Sequence, residues 1–209
     1  MKARHVVLMV SVLLLVSATA FANNYMVYAP KVQAPVLDGK LDDAAWLEAS
    51  IVGGKAVIDM SNTVDRLTPF PRVAYVAYDD ANLYIAYSIY TANPDGLITS
   101  GAAPASNDEV EVFLQPAGRD DYIQAMVDAG GMVRVPTYNL QFAIGKTPIQ
   151  WIVEMAIPFS EIGSTPKSGD VWKINFAGRQ LADGDTWVCW SPTYGSFKQP
   201  QYFGSVTFK

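Results

Sequence analysis

Most of this chain alternates apolar and polar positions with a period of two residues, and few segments sustain a period of 3.6. Arg72–Tyr78 and Asn82–Tyr90 are rich in Val, Ile and Tyr, with Asp79-Asp80-Ala81 as a tight reversal between them. That pattern predicts an antiparallel hairpin. In 109–114, Val110, Val112 and Leu114 fall on one side of a strand, with Glu109, Glu111 and Phe113 on the other. Further strands are expected at 122–128, 132–135, 140–144, 149–157, 171–176, 186–190 and 203–208.

Helix is scarce. Asp42 or Asp43 caps a short one through Glu48 that buries Trp46 as a plug at one end of the fold. Pro158 opens a single turn through Glu161-Ile162, which Gly163 ends. Stretch 93–106 has little regular pattern and reads as a long loop. Many short strands separated by Gly, Pro, Asn and Asp predict an all-β fold. Its architecture is an antiparallel β-sandwich, a jelly-roll or immunoglobulin-like pair of sheets with one or two short helices. There is no internal repeat, low-complexity tract or dividing linker.

Residues 1–22 read as a signal peptide. Lys2 and Arg4 make a basic start, an apolar run spans 6–16 with only Ser11 interrupting it, and Ala20-Phe21-Ala22 is a small-x-small cleavage site. The run is shorter than the roughly 20 apolar residues of a membrane-spanning helix. Residues 23–209 are then a single domain, expected to be secreted or periplasmic, without a membrane span. No cysteine follows the cut, so no lipid anchor is expected there.

The formal net charge is −5, and it becomes more negative once Lys2 and Arg4 are removed. With no compact basic patch to neutralise phosphates, nucleic acid is not an expected partner. His5 is the only histidine and leaves with the leader, so His-based acid–base chemistry, Ser–His triads and histidine metal sites are excluded from the mature chain. Cys189, the only cysteine, sits between Val188 and Trp190 and reads as a buried small hydrophobe.

Five short motifs occur in order: Asp38-Gly39-Lys40-Leu41-Asp42-Asp43 leading to Trp46; Tyr78-Asp79-Asp80-Ala81-Asn82-Leu83-Tyr84; Asn107-Asp108-Glu109-Val110-Glu111-Val112-Phe113-Leu114; Glu154-Met155-Ala156-Ile157-Pro158-Phe159; and Trp190-Ser191-Pro192 with Phe197, Pro200 and Phe203-Gly204. The ordered set resembles the family 9 carbohydrate-binding modules of the wider DOMON-like β-sandwich superfamily, from about Pro35 to Phe208. The resemblance implies a non-catalytic module that grips a poly- or oligosaccharide between two exposed tryptophans, with carboxylate, amide and guanidinium groups on its hydroxyls.

Carried over residue by residue, Asn107, Asp108 and Glu111 stand where the family has its acidic strand. Ala105 falls at the place of the first tryptophan, and Phe197, with Tyr194 nearby, at the second. Met126 aligns with the family's sugar-gripping arginine. The expected ligand contacts are Phe197 and Tyr194 as platforms, with Asn107, Asp108, Glu111, Gln124 and Lys198 as polar groups. Tyr194 beside Gly195 is expected to be exposed. Trp46, Trp151, Trp172, Trp187 and Trp190 are read as core or rim packing. Family members commonly carry structural calcium, and Asp38, Asp42 and Asp43, or alternatively Asp79-Asp80, are the candidate ligands for it here.

Three other functions compete with sugar binding. The altered clamp fits a structural or protein-interaction element of a surface assembly, or a module docking beside a separate secreted enzyme. Met126, Met132 and Met155 keep open a haem-carrying electron-transfer subunit of the same superfamily. Glycoside hydrolysis by Asp108 with Glu111 is disfavoured, because residues three apart on a strand point to opposite faces.

Overall fold

The computed structural model describes residues 25–51, 71–134, 139–184 and 186–209. The expected leader and Val135, the end of one expected strand, lie outside them. Among the described residues the chain forms two stacked sheets. The elements are β1 (Met26–Ala29), α1 (Ala44–Glu48), β2 (Ser50–Ile51), β3 (Arg72–Tyr78), β4 (Asn82–Tyr90), β5 (Glu109–Gln115), β6 (Ile123–Asp128), β7 (Val133–Arg134), β8 (Gln141–Lys146), β9 (Gln150–Pro158), α2 (Phe159–Ile162), β10 (Val171–Gln180), β11 (Thr186–Cys189) and β12 (Gly204–Phe208).

The larger sheet runs β1-β12-β10-β5-β6-β7, with β11 sharing the β12 edge of β10; the smaller runs β2-β3-β4-β9-β8. The sandwich follows the periodicity and both short helices their capping signals, while β1 and β2 lie outside the expected strands. One pairing departs from the antiparallel pattern: β1 lies parallel to β12, Met26 opposite Ser205. The antiparallel expectation fails there because the partners are separated by most of the chain, a contact that local alternation does not encode. The 93–106 loop contains two single 3-10 turns, Pro94–Gly96 and Pro104–Ser106, each opened by its proline.

The inner faces meet as the sequence alternation requires. Val110, Val112 and Leu114 of β5 are buried against Ile85, Tyr87 and Ile89 of β4 and Val153 and Met155 of β9 in the main core. Arg72 is an unanticipated member of this layer. It is fully buried, with Nη1 donating to the Glu109 carbonyl and Nη2 to Gln180 Oε1, both at 3.3 Å. Burial pushes its guanidinium down to about 10, against the opposing pull of Glu109. Gly178 makes the room, since a Cβ there would stand 2.2 Å from Arg72 Nη1 and 2.5 Å from the Glu109 carbonyl oxygen.

The outer face of the smaller sheet is covered by the segment that holds α1. Small residues at Ala77, Ala86 and Ala156 leave a shallow bed, and Trp46 settles into it beside Tyr84. Glu154 of β9 fastens this cover: its carboxylate accepts hydrogen bonds from Trp46 Nε1 (2.7 Å), Asp38 N (3.0 Å) and Gly39 N (2.6 Å). Gly39 has φ +85° and crosses β8 so closely that a Cβ would lie 2.7 Å from the Ile144 carbonyl oxygen. The hairpin reversal is equally specific. Asp79 Oδ1 accepts from Ala81 N and Asn82 N, both 2.7 Å, and Tyr84 Oη donates to Asp79 Oδ2 at 2.6 Å.

Candidate functional site

The outer face of the larger sheet is organised by register. Ala177, Glu111 and Met126 lie side by side across β10, β5 and β6, as do Asn175, Phe113 and Gln124 one step along. Pairing to Met126 brings in Arg134 of β7, and pairing to Arg179 brings in Trp187 of β11. Directly opposed residues on neighbouring strands present their side chains to the same face.

The segment after β11 folds back over part of this face. Asn175 Nδ2 donates to the Ser191 carbonyl (2.8 Å) while Asn175 Oδ1 accepts from Ser191 N (2.9 Å). Ser191 Oγ donates to the Tyr202 carbonyl at 2.5 Å. Beneath the segment, Phe113, Ala177, Cys189, Phe197 and Phe203 form a small separate core. Burial there raises the Cys189 thiol to about 11, so it is not a thiolate at neutral pH.

Where this cover stops, a cavity of about 400 Å³ remains. Glu111, Phe113, Gln124, Met126 and Arg134 come to it from the strands, Trp187 from β11, Ala105 from the 93–106 loop, and Gly195 to Lys198 from the covering segment. Trp187 is its exposed ring, 37 % accessible. The Arg179 guanidinium carbon lies 4.7 Å from the Trp187 ring centroid, and Arg179 Nη1 donates to the Ala105 carbonyl at 3.0 Å. One arginine thus ties the ring to the opposing loop. Phe197 also lines the cavity but is buried, its ring 5.7 Å from Trp187 and 6.3 Å from Phe113.

At the base, Gln124 Nε2 donates to Glu111 Oε2 at 2.5 Å. Burial pushes the Glu111 carboxyl above its ordinary range, while the Gln124 amide and the charges of Lys198 and Arg134 pull it back. Glu109, two residues away on the same face, is completely buried, and no donor reaches either carboxyl oxygen; its own proton is directed to Glu111. Burial, then the neighbouring Glu111 charge, holds Glu109 well above the usual carboxylate range.

Of the residues expected to contact a ligand, Phe197, Glu111, Gln124 and Lys198 come together at the cavity. Asn107 and Asp108 are fully buried behind it and serve the loops. Asp108 accepts from Ile98 N (2.6 Å), Leu181 N (2.6 Å) and Ala182 N (3.2 Å); Asn107 accepts from Gly101 N (2.7 Å) and donates to Asp128 Oδ2 (2.5 Å). Tyr194 is exposed but is not among the lining residues; its ring packs edge-on to Tyr202 at 5.5 Å, and its φ of 56° places it in the left-handed region. Asp38 is paired with Lys40 at 2.7 Å, and among the described residues no group of three His, Cys, Asp or Glu side chains gathers to hold a metal.

Trp187, read from the sequence as core or rim packing, and Arg134, not named there, both line the cavity. Trp187 was legible in principle, because Val188 and Trp190 face the core and alternation then turns Trp187 outward. Arg134 was not, since its position opposite Met126 is a matter of cross-strand register. Trp187 and Arg134 bring a ring and a guanidinium to the cavity that has Ala105 and Met126 in its walls.

The Caldicellulosiruptor kristjanssonii carbohydrate-binding module of family 9, solved with cellotriose, superposes with a TM-score of 0.68 at 19% identity, covering 88% of this chain and 93% of that one. Its complex with glucose gives the same score and identity, with 95% of that chain covered. A crystal structure described as a putative carbohydrate-binding protein from Bacteroides uniformis ATCC 8492 matches at 18% identity and TM-score 0.68, covering 88% and 99%. Among curated proteins none matches. The model of the family described as carbohydrate family 9 binding domain-like matches residues 37–209, and the chain belongs to that family.

Proposed function

We propose that this protein binds a poly- or oligosaccharide in the cavity beside Trp187 and does not alter it. The observation that carries this reading is the pairing of one exposed ring, held by Arg179, with a floor of planar polar groups from Glu111, Gln124 and Arg134. A flat ring covers the C–H face of a sugar, while carboxylate, amide and guanidinium groups bridge its hydroxyls. Solved neighbours holding cellotriose and glucose support the ligand class.

Acid–base cleavage of a glycosidic bond needs two carboxyl groups flanking it. Glu111 is the only acid among the described lining residues, and Asp108 is committed to backbone N–H groups. Haem is a poorer fit. Met155 lies in the core and Met126 at the cavity, where the neighbouring groups are the Glu111–Gln124 pair and two cations, a lining suited to hydroxyls.

Glycan-array binding by the full chain and by Trp187→Ala tests the proposal. The parent protein is expected to hold at least one glycan, and the variant to lose about tenfold in affinity, roughly 1.4 kcal/mol. Its thermal midpoint should move little, because the ring is partly exposed. Undiminished binding by Trp187→Ala would remove the ring from the site. Failure of the parent on every glycan, with a protein captured in its place, would favour the interaction-element reading.

A further inference from the structure

We propose that the sugar taken by this cavity is acidic, a uronate whose carboxylate is held by Arg134 and Lys198. The inference rests on the carbohydrate-binding reading and deepens it. The whole chain carries a formal charge of −5, yet the described residues lining the cavity comprise two cations and one acid. The local balance is therefore opposite in sign to that of the protein.

Among the described residues neither cation is ion-paired. The ion pairs among the described residues are Lys31–Asp80, Lys40–Asp38 and Arg119–Asp121, all on loops or element ends elsewhere. Neither Arg134 nor Lys198 has a carboxylate within ion-pair distance among the described residues, although both feel the charge of Glu111 across the cavity. Glu111 is in turn occupied by the Gln124 amide at 2.5 Å. A neutral sugar would leave the lining with two cations against one acid. Together with Glu111, a ligand carboxylate balances the two cations; it accepts two parallel N–H bonds from the guanidinium fork and meets Lys198 as a point charge. A guanidinium fork also pairs bidentately with tetrahedral oxyanions, so the sulfated arm of the titration below separates a sulfate ester from the uronate.

Calorimetric titration of the full chain with matched oligosaccharides decides the matter, galacturonate against galactose and glucuronate against glucose, with a sulfated galactose oligomer as a third arm. In at least one pair the acidic member should bind about tenfold tighter at low salt. That advantage should shrink as the Debye length shortens to about 8 Å near physiological ionic strength. In the double variant Arg134→Gln, Lys198→Gln the ratio of acidic to neutral affinity should fall to about threefold or less. Its thermal midpoint should be unchanged, since both side chains are exposed. Equal or tighter binding of the neutral member in both pairs overturns the inference, as does an acidic preference that survives in the double variant. Preference for the sulfated oligomer overturns the carboxylate assignment. Neutral binding without acidic gain leaves the proposed function standing, whereas no binding to any sugar removes both.

Discussion

Glu154 and Glu109 lie on opposite layers of the sandwich, each on an outer face and each fully buried. Their surroundings treat them differently. Glu154 receives three hydrogen bonds from the segment that covers it, two from backbone N–H groups and one from the Trp46 indole. Glu109 receives none, and its neighbour Glu111 receives one, from a side chain beside an open cavity. A buried carboxylate satisfied by local backbone is part of the architecture. One that receives no donor costs stability, and here it neighbours Glu111, the acid in the cavity lining.

The contrast is broken most severely by Glu154→Ala. Two backbone N–H groups and the indole N–H would lose their acceptor together, and the α1 cover its fastening. Denaturant unfolding should show a loss of about 4 kcal/mol, while the folded fraction still binds glycan. A loss below about 1 kcal/mol would mean that water replaces the carboxylate readily and that the three bonds are not structural.

Glu109 should respond in the other direction. Its carboxyl is raised from 4.5 in the folded state, so the native protein holds a proton that the unfolded chain releases. Stability is therefore greatest below that value and falls as pH rises past it. Glu111 and Glu154, also raised by burial, add slopes of the same sign. Glu109→Gln should flatten the dependence of unfolding free energy on pH above 4.5 and leave neutral-pH stability equal or about 1 kcal/mol higher. A fall of more than about 2 kcal/mol at neutral pH would show that the carboxylate is charged and paired with the buried Arg72 guanidinium.

The smallest expected effect is at Tyr194. Because the ring lies outside the cavity lining and packs on Tyr202, Tyr194→Ala should change glycan affinity by less than about twofold. A tenfold loss measured by calorimetry would extend the binding surface across the covering segment.

The motifs that made this chain readable are mostly its turns and fastenings. Asp79 explains the Tyr78–Tyr84 motif as a carboxylate that closes a hairpin on two backbone N–H groups and the Tyr84 hydroxyl. Glu154 joins the Asp38–Trp46 motif to the Glu154–Phe159 motif. Ser191 follows Trp190 because its hydroxyl donates to the Tyr202 carbonyl, while Asn175 pins its backbone. Asp108 and Asn107 belong to the same class: carboxylate and amide placed next to a strand start, read from the sequence as sugar contacts, and found holding the 93–106 and 181–184 loops. Side-chain chemistry in a sequence announces that a polar group has work to do, but not whether its partner is a ligand or the backbone.

Local pattern and capping residues determined most of the strands, the inward faces of β5 and β4 and the two short helices, because each depends on neighbours two to four positions away. They did not reveal β1, β2 or the seat of Trp46, which lies on the outer face of the smaller sheet rather than at one end of the fold. Tertiary structure decided the rest. The parallel β1–β12 pair, the passage of Arg72 past Gly178, and the meeting of Trp187, Arg134, Lys198 and Glu111 at one cavity join residues that are distant along the chain. Register sets those meetings, and a shift of one residue would turn every side chain of a strand to the opposite face.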